Sequence, residues 1–301
     1  MYHQEPTRIS RRRLIGAAVG LIAGASSSTA QNTRRTAVPD RLLQSQSDPN
    51  RRILLQGGIV FSLDPTVGDF EKADILIEGK KIAAVGPNLA TAARSAVVID
   101  ATDRIVMPGF IDTHHHQYET LLRSILADGL LGFSPGDGEK TYVSVIQGIF
   151  TPLYLPEDAY LSELVASLNQ INAGVTTTVD TSQVSLSPAH TDACIAGLKE
   201  SGRRAVFAYS AGAGPASQFP QDITRLRKQY FSSNDQLLSL ALHTGLNPEH
   251  WKLARSVGAS IVSHYISGGL EAVSSAGMMG PDNEYIHCTQ ITQAAWKICV
   301  Q

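Results

Sequence analysis

Cysteine is scarce in this chain. Among 301 residues only Cys194, Cys288 and Cys299 occur, too few and too irregularly spaced for a disulfide framework or a cysteine-built zinc site. An excess of charge of one sign is also missing. Lys and Arg number 25 against 27 Asp and Glu, and no basic stripe points to a nucleic acid partner. The apolar run at residues 14–25 is too short to span a bilayer. What is present is a chain that is 43% hydrophobic, suited to a soluble protein of one large or two modest domains.

The first thirty residues form a class of their own. Ser10-Arg11-Arg12-Arg13-Leu14-Ile15 is a twin-arginine pattern, the apolar run follows it, and Ser28-Thr29-Ala30 is a small-x-Ala cleavage site. A basic region, an apolar region and a cleavage site in that order describe an export signal. The expectation is a mature protein beginning near Gln31, periplasmic or secreted, with no membrane attachment once the signal is removed. The mature chain would carry 21 basic and 26 acidic residues, a net charge of −5, which favours solubility. Residues 31–50, rich in Gln, Ser, Arg and Pro, read as a flexible linker.

Residues 51–106 look all-β. Short apolar runs flank Gly57-Gly58 and the hairpin-like turn Glu78-Gly79-Lys80-Lys81. They predict one small sheet or half of a sandwich. Beyond Met107 the period changes. Leu161, Leu164, Val165, Leu168 and Ile171 mark an amphipathic helix opened by Pro156 and closed by Gly174, and Val175-Thr176-Thr177-Thr178-Val179 follows as a strand. The same alternation returns at Pro188 to Gly202 and at Pro248 to Gly258. This is the βα rhythm of a parallel sheet or barrel. Residues 107–301 are therefore read as a barrel domain of about six βα units, with residues 124–155 a long irregular segment of the kind that forms an active-site lid or else is disordered.

The most informative stretch is Met107-Pro108-Gly109-Phe110-Ile111-Asp112-Thr113-His114-His115-His116. In a strand, residues i and i+2 share a face, so His114 and His116 can converge on one point and form half of a metal site. The alternative is a surface cluster or a chance run. The predicted strand tips weigh against that. They fall near His116, Asp180, Ser210, His243, His264 and His287, and a barrel places its chemistry at the C-terminal ends of its strands. His115, out of step with its neighbours, is expected behind the strand. Asp112 is expected to orient a neighbouring group. His190 reads as a capping or surface residue, His250 as lying on an exposed helical turn, and His243 as either lining the pocket or structural.

With these residues in place the chain resembles the amidohydrolase superfamily, in the branch of cytosine deaminases and chlorohydrolases. The resemblance is carried by the Pro108-to-His116 block, Thr120-Leu121-Leu122-Arg123, Gly174-Val175-Thr176-Thr177, Ser187-Pro188-Ala189-His190 and Ser201-Gly202-Arg203-Arg204. It implies an α/β fold, a (β/α)8 TIM-like barrel preceded by a small β-sandwich-like domain. It implies one divalent metal, zinc or iron, held by His114, His116 and His264, with His287 in a catalytic role beside it. A metal lowers the pKa of bound water from 15.7 to about 7. The implied activity is hydrolysis of carbon–nitrogen bonds other than peptide bonds, on a small heterocyclic amine or amide, with homo-oligomer formation open.

Three departures qualify that expectation. Ser267 stands where deaminating relatives carry a proton-shuttling glutamate. The fourth strand ends in His243 and offers no lysine for a bridging carbamate. The 195 residues from Met107 onward fall short of the roughly 250 of a full barrel, so strands seven and eight and the aspartate of the eighth are expected to be lacking. The competing expectations are a catalytically incompetent fragment or pseudoenzyme, and an exported metal- or ligand-binding module.

Overall fold

The computed structural model describes residues 40–45, 47–132 and 136–300. The export signal and half of the predicted linker lie outside the described residues. Within the predicted linker, α1 (Asp40–Gln44) forms a helical turn with no buried residues. The chain divides into two compact units at Pro108 and Gly109.

The first unit is one mixed sheet. Strands β1 (Arg52–Val60), β2 (Phe70–Glu78), β3 (Lys81–Gly86) and β4 (Val97–Asp100) lie in the order β3-β2-β1-β4, and β5 (Ile105–Val106) pairs with β1. Gly57-Gly58, read from sequence as a break, lies inside β1 as a bulge. Gly57 takes φ 77° there, a conformation that costs glycine little. The hairpin between β2 and β3 turns at Gly79 and Lys80, as its sequence predicts. Asp74 is buried, and its carboxylate accepts from the backbone N–H groups of Gly57 and Leu89 at 2.8 and 2.9 Å. That fastens the bulge.

The second unit holds six parallel strands. These are β6 (Phe110–His115), β7 (Val175–Ser182), β8 (Arg204–Tyr209), β9 (Leu238–His243), β10 (Ser260–Tyr265) and β11 (Asn283–His287), hydrogen-bonded in chain order. Helices α2 (Pro156–Asn172), α3 (Pro188–Ser201), α4 (Ile223–Tyr230), α5 (Pro248–Ser256), α6 (Leu270–Ser275) and α7 (Gln293–Cys299) separate or follow them. The sequence grammar explains their ends. Pro occupies the first turn of α2, α3 and α5, Gly202 ends α3 at φ 67°, and the Asn247 side chain caps α5 by accepting from Glu249 N and His250 N. Residues 124–155 are less irregular than expected. They contain a π-helix, Tyr142–Phe150, whose first turn is closed by reciprocal Thr141 and Ser144 hydrogen bonds.

Strand alternation divides the core of this unit in two. Val179, Ala208, Ala241, Val262 and Ile286 form one cluster on the inner face. Phe207, Tyr209, Leu240, Leu242 and Ile261, out of phase with them, pack under the helices with Trp251, Leu198 and Leu226. Strands β6 and β11 end the ladder on opposite sides. In a flat sheet, strands spaced about 4.8 Å apart would put them roughly 24 Å from each other. Yet the rings of His114 and His287 have centroids 5.1 Å apart. The sheet therefore curls until its edge tips converge, which makes it an incomplete (β/α)8-type barrel with its strand C-termini gathered at one mouth. Among the described residues no helix is long and apolar enough to cross a membrane.

Candidate metal centre

Five histidines meet at that mouth. His243 and His264 share the inner-face phase of Ala241 and Val262, so alternation alone aims them inward. On β6 the pairing with β7 slips between Asp112 and His115, a bulge of the kind that re-aims side chains beside active sites. His287 reaches the cluster differently. Ile286 belongs to the inner cluster, so strict alternation would turn His287 outward. Its backbone instead takes φ 73°, followed by Cys288 at φ 50°, and two successive non-glycine residues in that region are strained.

The ligand atoms of His114, His264 and His287 lie within 4.8 Å of one another. His264 Nε2 is 3.3 Å from His114 Nε2. Two nitrogens bound tetrahedrally at 2.0–2.1 Å to one ion would stand roughly 3.3–3.4 Å apart, so the pair already has the spacing of adjacent ligands. His116 is next to them, its ring 4.6 Å from that of His114 and 5.3 Å from that of His264. His243 packs edge-on to His264 at 4.5 Å. It is buried, and its Nε2 has no hydrogen-bond partner. The structure thus brings together His114, His116, His264 and His287, all singled out from sequence, and adds His243, which the sequence left open. The donor set fits a divalent metal. Burial and mutual repulsion hold His114 down at about 4, and burial holds His116 at about 4 and His243 at about 3. Burial, then the neighbouring rings, lowers His264 further. These four rings are neutral at pH 7, as metal ligands must be.

The surrounding residues fix the donors. Asp112 orients neighbours, as expected: its Oδ1 accepts from His114 N at 3.2 Å, and its Oδ2 is 3.0 Å from both His115 Nδ1 and Gln170 Nε2. His115 lies behind the strand, on the side of α2, but is half-exposed rather than packed away, and lines a cleft of about 310 Å³ with His116, Glu119, Arg123 and Asn169. His190 ties the start of α3 to Tyr154 O at 2.9 Å through Nε2, its Nδ1 lying 2.8 Å from Ser187 Oγ. His250 is half-buried rather than exposed, 2.7 Å from Thr244 Oγ1 and edge-on to Phe219. Ser267, in the turn after β10, is exposed.

Behind β6 and β7 lies a buried polar network that sequence reasoning missed. Asp180 is out of phase with Val179 and points to the helix side, where Glu163 of α2 meets it. Both are fully buried. Gln117 donates from its backbone to Asp180 Oδ1 at 3.2 Å and from Nε2 to Glu163 Oε2 at 2.8 Å. Arg203 donates to Gln117 Oε1 and Gln170 Oε1. Burial drives the Glu163 carboxyl well up, with the Asp180 charge adding to it, and burial lifts Asp180 to about 7. The pair holds protons that free carboxyls would release. The inner face of α2 carries Ala159, Ser162, Glu163, Ala166 and Ser167, whereas Leu161, Val165, Leu168 and Ile171, among the residues that marked the helix in sequence, lie exposed, so the apolar pattern pointed to the wrong face.

Known proteins resemble the chain in sequence and in fold. The 5'-deoxyadenosine deaminase of Methanosarcina mazei is 31% identical over 128 residues, 42% of this chain and 27% of that protein. The 5-methylthioadenosine/S-adenosylhomocysteine deaminase of Thermococcus kodakarensis is 38% identical over 112 residues, 37% of this chain and 24% of that one. Among solved structures, an adenosine deaminase from Xanthomonas campestris with bound zinc superposes with a TM-score of 0.61 at 20% identity, covering 82% of this chain and 60% of that one. The chain is similar in part of its sequence to these deaminases and shares the fold of the solved zinc-bound one. The zinc-bound atrazine chlorohydrolase of Arthrobacter aurescens shares the fold with a TM-score of 0.59 at 22% identity, over 82% of this chain and 57% of that enzyme. The matches to these two deaminases span about a quarter of their length. No protein-family model matches the chain.

Proposed function

We propose that this amidohydrolase-like chain serves metal-dependent hydrolysis of carbon–nitrogen bonds other than peptide bonds, on a small heterocyclic amine or amide. The observation that carries the reading is the convergence of His114, His264 and His287 ligand atoms within 4.8 Å at the barrel mouth. One zinc or iron ion would be held by His114, His116 and His264, with His287 beside them, and when bound it supplies Lewis-acid activation of water. The chain's own residues do the rest. His287, exposed at the rim, can take up or hand over a proton from substrate or solvent. His243 presents an unpartnered buried Nε2 to whatever enters. The curled sheet walls the site from solvent on the strand side.

The relatives' substrates suggest the panel: 5'-deoxyadenosine, 5-methylthioadenosine, S-adenosylhomocysteine and a substituted triazine, each with zinc or ferrous iron, followed by ammonia or leaving-group release. Turnover that disappears in His264→Ala supports the reading. Failure to bind either metal would overturn it. A second reading, a metal-binding module without turnover, is favoured by one observation: among the described residues the converging ligand set is histidine alone, and Ser267 supplies no carboxylate. Stoichiometric metal with no hydrolysis across the panel would select it.

Export by the twin-arginine route belongs to the same proposal. Its support is the Arg11-Arg12-Arg13 block before a twelve-residue apolar run. N-terminal sequencing of extracytoplasmic protein should start near Gln31, and Arg11→Lys with Arg12→Lys should abolish its appearance there.

A further inference from the structure

One residue of β7 touches both histidines of the His-x-His pair. The Thr181 carbonyl oxygen lies 3.0 Å from His116 Nδ1, and the Thr181 hydroxyl lies 3.2 Å from His114 Nδ1. Thr181 shares the inner-face phase of Val179, so its side chain faces the barrel lumen, and it is completely buried. Its backbone is fixed by pairing with Ala208 of β8. A carbonyl oxygen only accepts, so His116 must carry its ring proton on Nδ1 and leave Nε2 bare. A hydroxyl can act either way. The 3.3 Å approach of His264 Nε2 to His114 Nε2 fits a bare Nε2 on His114 that accepts from His264 in the metal-free protein and could face an ion, and hence an Nδ1–H that donates to Thr181 Oγ1.

We propose that Thr181 is the positioning residue of the metal centre, setting the tautomer and ring orientation of both His114 and His116. The inference deepens the metal-dependent reading and rests on it for its functional meaning. Partners behind ligating imidazoles fix which nitrogen faces the metal, and losing one typically costs 10–100-fold in metal affinity. Here a single residue performs that task twice, once through side chain and once through main chain. The two contributions are therefore separable by substitution. Thr181→Val keeps the shape and the carbonyl but removes the hydroxyl, so it releases His114 and leaves His116 held.

The test uses nitrogen-15 NMR of the histidine rings in the metal-free full chain, alongside zinc affinity by chelator competition. In the wild type, His114 and His116 should both show protonated Nδ1 and bare Nε2. In Thr181→Val, His116 should keep that state, His114 should become a mixture of tautomers, and zinc affinity should fall about 10–100-fold. Thr181→Ser should restore both. The opposite tautomer at His116 in the wild type overturns the proposal without any variant having to fold. So does a Thr181→Val protein with an unchanged His114 ring and unchanged zinc affinity. A wild type that takes up no zinc would sink the metal reading, while the ring tautomers would still decide the role of Thr181.

Discussion

His264 Nε2 faces His114 Nε2 at 3.3 Å across the barrel mouth, although the two residues are 150 positions apart. Two neutral imidazole lone pairs at that distance repel unless a proton or a cation sits between them. Both rings are held neutral at pH 7 by burial and by neighbouring histidines. A neutral ring can supply that proton from its own Nε2, and a divalent cation could take its place. His264→Ala removes one of the converging donors. Zinc affinity should drop by more than the roughly 10–100-fold expected for loss of a supporting partner, while circular dichroism of the metal-free protein stays unchanged. An affinity equal to wild type in this variant would place the ion elsewhere.

The second prediction concerns the buried Glu163–Asp180 pair. Glu163 titrates well above its free value because burial and the neighbouring carboxylate disfavour its charge. The sign follows from proton counting. Above pH of about 4.5 the unfolded chain has released this proton and the folded chain retains it, so stability falls as pH rises until the folded group ionises too. Glu163→Gln removes the titration while keeping an acceptor for Gln117 and a donor for Asp180. The variant's stability relative to wild type should rise with pH, by up to about 1.4 kcal/mol per pH unit for one proton. Urea melts at pH 5, 6, 7 and 8 measure it. A difference independent of pH would mean that Glu163 is ionised in the fold.

Much of this architecture was legible in the chain because it follows from local rules. Pro156, Pro188 and Pro248 mark helix starts, Gly174, Gly202 and Gly258 mark ends, and β-branched runs such as Val175 to Val179 mark strands. The six strand tips followed, and with them the four histidines. What was hidden depends on departures from those rules. The bulge at Gly57-Gly58 turned two apparent strands into one. His287 joins the cluster through a positive φ that no alternation pattern encodes. Thr181 and Glu163 are ordinary strand and helix residues in sequence. Their roles come from which of β7's two faces each meets, and that is fixed only when β6, β7 and α2 pack together.

That packing depends on Gly197. A Cβ added there would lie 2.5 Å from Tyr160 O and 3.0 Å from Glu163 Cβ. The carbonyl belongs to the backbone of α2, so the clash cannot be relieved by a rotamer change. Gly197→Ala must push α3 off α2 or shift Glu163. Overpacking of this kind costs about 1–3 kcal/mol, enough to lower the chemical-denaturation midpoint clearly. Because Glu163 is the neighbour displaced, the pH dependence assigned to the carboxyl pair should change with it. A variant as stable as wild type would show that the helices slide apart freely.

The final prediction concerns the first barrel strand. β6 ends the ladder, pairing only with β7 in the second unit's sheet. Phe110 and Ile111 on it are 59% and 67% exposed, and Leu161, Val165, Leu168 and Ile171 of α2 are exposed as well. An unpaired strand edge bearing large apolar side chains is a template for association with another chain, and charged residues are the usual means of blunting one. Ile111→Lys should therefore raise the concentration at which the chain stays monodisperse, measured by light scattering. Its folding stability should change by no more than about 0.5 kcal/mol, because little burial is lost at so exposed a position. The zinc affinity of the variant should match wild type, since Ile111 takes no part in the ring contacts at the mouth. Unaltered association with a large loss of stability would mean that Ile111 is covered in solution, and the β6 edge with it.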